Sequence, residues 1–207
     1  MSLLPDWKIR QLCDPKLNAK PMISPFVGTS VKKIEVDPLV GKVVGILSYG
    51  LSSAGYDIRL SSEDLKVFTN ANGKLVDPRK IDPDSYMKPK LLVDEEGLDY
   101  VILPPNTVML GHTVEWFNIP RDVLAICMAK STYARCGVSL LCTPLECEWS
   151  GKLVVEISST IPAPVKIYPN QGIGQLLFLE TNGVCEVSYA DRGGKYQNQT
   201  GTQDAIV

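Results

Sequence analysis

The side chains that could do chemistry are concentrated between Ala129 and Glu156. Lys130, Ser131, Thr132 and Arg135 open the stretch with cations and hydroxyls in close succession, and Glu156 closes it inside the apolar run Leu153-Val154-Val155-Glu156-Ile157. A short helix with Ser131 as N-cap and Gly137 as terminator would aim free N–H groups, hydroxyls and cations at one spot, which is the make-up of an anion site. An ordinary capped turn accounts for the same residues. In the second half, a strand places Leu153, Val155 and Ile157 on one face and Val154, Glu156 and Ser158 on the other. A carboxylate partly desolvated there is raised in pKa toward the range of a general base, whereas a solvated strand glutamate does nothing of the kind. Between the two lie a Thr143-Pro144-Leu145-Glu146 turn and then Trp149-Ser150-Gly151, an irregular link carrying an acid and a large aromatic.

These groups need a rigid frame, and the pattern around them is that of short strands. Segments 100–103, 107–110, 123–128, 138–142, 153–157, 165–168, 174–179 and 184–188 are apolar or alternating and are separated by Pro, Gly and Asn. With hardly any helical periodicity, this indicates an all-β sandwich or barrel. Lys42 to Leu47 reads as a further strand, the Gly/Ser-rich run from Ser48 to Gly55 as a turn, and residues 27–40 as extended loop or short strand. Tyr56, Ile58 and Leu60 alternate with Asp57 and Arg59, which makes a half-buried strand with Asp57 on its polar face, there able to pair with Arg59. Asp6 before Trp7, Ile9 and Leu12 marks a short N-terminal helix with Asp6 as N-cap, stopped by Pro15. Residues 70–99 carry the turn pairs Asn72-Gly73, Asp77-Pro78, Asp82-Pro83 and Lys88-Pro89 and read as a surface excursion.

Composition narrows the function classes. A chain of 207 residues, 44 % hydrophobic and 21 % charged, suits one globular domain. A net charge of −2 argues against a broad nucleic-acid surface, while one small anion needs only a few local cations. Residues 1–7 lack the basic and long apolar regions of a signal peptide, and the run Val123 to Ala129 falls far short of the roughly 20 residues of a membrane span. A soluble, cytoplasmic protein is expected, with no membrane partner. Its six cysteines then stay reduced, and without any CxxC pair they read as small hydrophobes rather than zinc ligands. The single histidine, His112, reads as a satisfied core or edge residue.

The end of the chain, Asp191 to Gly201, has no apolar period and reads as a flexible tail on a domain spanning residues 1–190. Its Lys195, Tyr196, Gln197 and Gln199 are phosphate- and base-gripping types, and its glycines would let it fold over a ligand.

Taken in order, these segments resemble the dCTP deaminases, a branch of the dUTPase-like superfamily. Ala54-Gly55-Tyr56-Asp57-Ile58 resembles the family's first motif, Lys130-Ser131-Thr132-Tyr133-Ala134-Arg135 the phosphate-binding second, and Glu146 with Trp149-Ser150-Gly151 the third. Gly174-Gln175-Leu176 is similar to the fourth, and Gly194-Lys195-Tyr196-Gln197-Asn198-Gln199 to the tail that closes over nucleotide. Val154-Val155-Glu156 matches the strand glutamate that dUTPases generally lack. The resemblance implies a distorted dUTPase-like β-barrel or jelly-roll with few short helices, assembled as a homotrimer with sites between subunits.

The activity it implies is zinc-independent hydrolysis of dCTP to dUTP and ammonia, in supply of dUMP and dTTP. The alternatives are a bifunctional enzyme releasing dUMP and pyrophosphate, or a non-catalytic nucleotide-sensing trimer. By the same resemblance Glu156 is the base, with Ser131 and Arg135 as its catalytic partners. Lys130, Ser131 and Thr132 reach phosphates, within a binding segment that includes Tyr133, Ala134 and Arg135. Trp149 packs on the deoxyribose, Glu146 contacts the 3′-hydroxyl, and Val154 and Val155 belong to the substrate-binding set. Gln175, Tyr189, Lys195 and Gln199 hold the triphosphate, with Mg²⁺ carried by the phosphates and water rather than by protein ligands. Inhibition by dTTP is a further family trait. Two departures stand out: Lys130-Ser131-Thr132 replaces the Arg-Ser-Ser of many members, exchanging a bidentate contact for a point charge, and the run from Arg135 to Trp149 is shorter than in many relatives.

Overall fold

The computed structural model describes residues 2–69 and 73–206, so that Asn72 of the expected Asn72-Gly73 turn lies outside the described residues. The described residues form fifteen strands, two short α-helices and one 3-10 turn at Pro83–Ser85. They run as β1 (Ser2–Leu3), α1 (Asp6–Leu12), β2 (Ile23–Ser24), β3 (Val31–Asp37), β4 (Lys42–Ser52), β5 (Gly55–Arg59), β6 (Lys66–Phe68), β7 (Tyr86–Met87), β8 (Leu92–Val93) and β9 (Asp99–Leu103). Then follow β10 (Val108–Asn118), β11 (Val123–Ala129), α2 (Ser131–Ala134), β12 (Val138–Leu141), β13 (Ser150–Ser159), β14 (Val165–Ile167) and β15 (Gly172–Glu180). No helix among the described residues is long and apolar enough to cross a membrane.

The all-β expectation holds, but the sheets do not close into a barrel. One six-stranded sheet has the order β1-β15-β5-β4-β3 with β11 also on β15; the other runs β12-β13-β10-β6-β7 with β2 also on β10. A three-stranded sheet, β14-β9-β8, stands beside them. The core draws on both large sheets: Tyr56, Ile58, Ala125, Leu176 and Phe178 from the first meet Met109, Phe117, Leu153, Val155 and Ile157 from the second in one buried cluster. Alternation does the sorting in β13, whose odd-numbered residues are all buried and even-numbered ones half-buried.

Where the local readings fail, the cause is tertiary. The expected turn from Ser48 to Gly55 is mostly strand, since β4 runs on to Ser52 and pairs Gly50, Leu51 and Ser52 with β5. The strand expected at 107–110 extends to Asn118: Gly111, His112, Thr113 and Glu115 are buried too, so polar residues hid its apolar pattern. Segment 184–188 forms no strand. Instead the Arg121 guanidinium donates to the carbonyls of Cys185 and Glu186 and pairs with Asp191, which satisfies that backbone without a ladder. At both helix starts the cap shifts back by one: Pro5 and Lys130 occupy the N-caps without side-chain hydrogen bonds, and Asp6 and Ser131 are the first helical residues. Gly137, at φ +73°, does end the turn after α2.

Asp57 and Arg59 do not pair with each other. Arg59 instead donates from Nε to Glu115 Oε1 at 2.7 Å and from its backbone N–H to Oε2 at 3.0 Å, while its guanidinium lies over the Tyr49 ring at 4.7 Å. Glu115 is fully buried; burial pushes its carboxyl up in pKa and the Arg59 charge pulls it back. This pair ties β5 to β10 and so joins the two large sheets. The six cysteines are free thiols, with the Cys147 and Cys185 sulfurs 3.3 Å apart.

Candidate active site

Glu156 reaches the site because β13 is long and central. It lies between Leu110 of β10 and Leu141 of β12 on the half-buried face, with its side chain at the wall of a cleft of about 620 Å³. Burial raises its pKa above the usual glutamate range, and no cation forms an ion pair with it among the described residues. Val154, two residues earlier on the same face, lines the cleft as well, and Leu110 and Leu124 give it apolar walls. A carboxylate so placed is a weak base made stronger by desolvation, open on one side to a small molecule.

The irregular link before β13 supplies the opposite wall. Leu145 bridges to Ala125 of β11, which fixes Thr143, Pro144 and Glu146 at the rim. Trp149 is buried, and its indole N–H donates to the Tyr196 carbonyl at 3.1 Å. The Glu146 carboxylate pairs with Arg192, at the root of the tail.

The tail itself is docked. Asn198 N–H donates to the Ser150 carbonyl at 2.7 Å, Lys152 N–H to the Gln199 carbonyl at 2.9 Å, and Gly151 bridges Gln199 in parallel, so the tail lies against the start of β13 through a single bridge. The Gln199 amide donates to the Lys152 carbonyl at 2.7 Å and is buried. Gly194 lies flush on the Tyr189 ring, where any side chain would collide with it, and Tyr189 in turn receives the Tyr196 N–H on its hydroxyl at 3.0 Å. Lys195 is exposed, its ammonium over the Tyr196 ring and bonded to the Ile206 carbonyl. Tyr189, Tyr196, Gln199 and residues 203–205 therefore wall the cleft that Glu156 faces.

The cationic turn is elsewhere. Lys130 pairs with Asp57 at 2.8 Å, both side chains mostly buried, and Gln175 donates to the Ser52 hydroxyl at 3.1 Å. Ser131, Thr132, Ala134 and Arg135 are exposed, and none of the expected phosphate-binding residues of this turn, nor Gln175, lines the cleft. Tyr133 is a core residue, buried, with its hydroxyl accepting the Tyr168 N–H at 2.9 Å; its side chain is not free to touch a ligand. Val155 is fully buried on the face opposite Glu156, so any contact it makes with substrate must come from its backbone. The chain thus places Glu146, Trp149, Val154, Glu156, Tyr189 and Gln199 in or beside the cleft, and Lys130, Ser131, Thr132, Arg135 and Gln175 in a second group near Asp57 that does not line it.

Comparison with known proteins gives these two groups a common context. A family model described as dCTP deaminase-like matches residues 27–181. The chain belongs to that family. It is 46 % identical over 201 residues to the dCTP deaminase of Chromobacterium violaceum and 47 % to that of Rhodospirillum centenum, covering 97 % of each chain in both cases. Over 180 residues it is 51 % identical to the dCTP deaminase of Acidithiobacillus ferrooxidans, covering 87 % of this chain and 88 % of that one. The fold is similar to the crystal structure of 2′-deoxycytidine 5′-triphosphate deaminase from Agrobacterium tumefaciens, at a TM-score of 0.52 and 17 % identity, with 85 % of this chain and 47 % of that one covered.

Within this dCTP deaminase-like frame, the cleft residues that sequence reasoning missed include Leu110, Leu124, Leu153, Tyr86, the Thr143-Pro144-Leu145 turn and the tail residues 203–205. Leu110 and Leu124 looked like ordinary core positions. Only the register of β10 against β13, which sets Leu110 opposite Glu156, turns the first of them toward the site.

Proposed function

We propose that this protein is an enzyme that deaminates dCTP hydrolytically to dUTP and ammonia, with Glu156 as general base. The observation that carries the reading is the half-buried Glu156 carboxylate, without an ion-pair partner among the described residues and raised in pKa, in a cleft it shares with Trp149 and Glu146. Family membership and relatives near half identity that are named dCTP deaminase supply the substrate.

In this reading Glu156 takes a proton from a water poised at C4 of cytosine and returns protons to the departing ammonia, which general acid–base catalysis requires of one group in two states. Trp149 offers a flat face to deoxyribose, and Glu146 leaves Arg192 to accept the 3′-hydroxyl. Tyr189, Lys195 and Gln199 grip the triphosphate from the tail side. Lys130, Ser131, Thr132, Arg135 and Gln175 come from a second copy of the chain, so that a homotrimer builds each site between subunits. Two features favour that assembly: the separation of the two groups within one chain, and the exposed apolar side chains of Met128 and Leu141 next to the cationic turn and on the strand beside Glu156. Ser131 and Arg135 then face the water and the charge that develops on the base.

The described residues contain no group of three or more His, Cys, Asp or Glu side chains able to hold a metal ion. A triphosphate brings its own ligands, and Mg²⁺ bound there would neutralise phosphate charge while keeping several waters. Deamination is expected to survive zinc chelation and to fall when Mg²⁺ is withheld; stoichiometric zinc whose removal stops turnover would reverse the mechanism. The deciding experiment is incubation with dCTP and Mg²⁺ followed by separation of the nucleotides. Accumulating dUTP with equimolar ammonia is expected, and unchanged dCTP would refute the reading.

The raised pKa of Glu156 predicts the pH profile. The base works only when ionised, so kcat/KM should be flat at high pH and fall with unit slope as pH drops through a value above the ordinary glutamate pKa of about 4.3. A profile whose acidic limb lies no higher than an ordinary glutamate's would exclude a desolvated carboxylate as base.

A further inference from the structure

Beyond Gln199 the tail makes contacts that neither a nucleotide nor the core requires. Thr202 is only 4 % exposed, and its polar groups are all engaged. Its N–H donates to Asp64 Oδ2 at 2.9 Å, its carbonyl accepts from Lys66 Nζ at 3.1 Å, and its hydroxyl lies 3.0 Å from His112 Nδ1. Lys66 also pairs with Asp204 at 3.0 Å. These partners sit in the turn before β6, in β6 and in β10, within or beside the sheet that carries Glu156.

The histidine tautomer follows from the geometry. His112 Nε2 faces Lys152 Nζ at 3.4 Å, and an ammonium only donates, so Nε2 accepts and Nδ1 carries the proton toward Thr202. His112 is 1 % exposed; burial and the Lys152 charge hold its pKa low, Asp64 and Glu63 pulling the other way, which keeps the ring neutral. Thr202 stands between Gln199, which bridges to Gly151 of β13, and residues 203–205, which wall the cleft.

We infer that Asp64, Lys66 and His112 form a socket for Thr202 that sets how firmly the tail closes the cleft, which makes them positioning residues. They touch no substrate and act through the tail. Their effect on turnover rests on the deaminase reading, whereas their hold on the tail does not.

The test uses the full-length protein and two readouts. Trypsin can cut after Lys195 only when the tail lifts, and no Lys or Arg follows that position. In Thr202→Val, which leaves the His112 N–H without its partner, cleavage after Lys195 without nucleotide should run about tenfold faster, at an unchanged Tm. Thr202→Ser, which keeps the hydroxyl, should be cut at the wild-type rate. Lys66→Met should resemble Thr202→Val. With dCTP, Thr202→Val should raise KM roughly five- to tenfold and change kcat less than about twofold, because saturating nucleotide re-closes a tail that spends less time docked. Wild-type cleavage rates in Thr202→Val, or a Ser variant as loose as the Val variant, would overturn the socket. If the wild-type protein leaves dCTP unchanged while cleavage responds as described, the deaminase reading fails and the socket stands.

Discussion

Glu156→Gln is expected to retain dCTP binding and lose at least about 10²-fold in kcat, the scale of a positioned general base. The side chain is isosteric, lies on the half-buried face of β13 and forms no ion pair among the described residues that the amide would break, so the fold has no reason to change. The loss should fall on kcat rather than KM, since removing a proton acceptor takes away an interaction made only in the transition state. Stability should move the other way. A carboxyl whose pKa is raised in the folded state stabilises below its unfolded pKa, and that contribution is lost as pH rises through the folded value. At neutral pH the buried carboxylate is therefore a cost, and the glutamine variant should melt no lower than wild type. Turnover near the wild-type level in this variant would remove Glu156 from the mechanism.

Arg59→Ala should be the most damaging substitution for stability. It leaves the fully buried Glu115 carboxylate without its cation, and breaking such a pair costs about 3–5 kcal/mol. For a domain of this size that corresponds to a Tm lower by roughly 10 °C. The deficit should shrink on acidification, because with the Arg59 charge gone only backbone N–H donors oppose the effect of burial on Glu115, its pKa climbs, and protonation removes the unpaired charge. The double variant Arg59→Met, Glu115→Leu, which replaces both ions by apolar groups, should recover most of the loss. A single variant that melts within about 2 °C of wild type at pH 8 would show that the pair contributes little to joining the sheets.

Much of the architecture follows from local pattern, and the exceptions have physical causes. Alternation placed β13 and β5 correctly because each has one wholly apolar face, Leu153 with Val155 and Ile157, or Tyr56 with Ile58. It missed most of β10, where Gly111, His112, Thr113 and Glu115 are buried among apolar neighbours and owe their burial to partners distant in sequence. It supplied a strand at 184–188 whose apolar residues are exposed at Val184 and Val187, the backbone being satisfied by Arg121. Asp57 looked like a match for Arg59 because the two share a face. Each found a better partner across the fold, in Lys130 and in Glu115.

The stretch from Ala129 to Glu156 divides along the same line. Which groups are present was set by the sequence alone: a cationic, hydroxyl-rich turn, an acid beside a tryptophan, and a carboxylate on the polar face of an apolar strand. Their order along the chain was enough to place the protein in its family. How they meet was decided only by the tertiary structure. Sheet register turns Glu156 and Leu110 into one cleft, the tail, docked through Gln199 and Thr202, walls part of it, and the Lys130 turn is held on Asp57, away from it. The reason is that periodicity sets only which face of a strand a side chain occupies, whereas contact across sheets and with the tail depends on pairings between residues up to 138 positions apart.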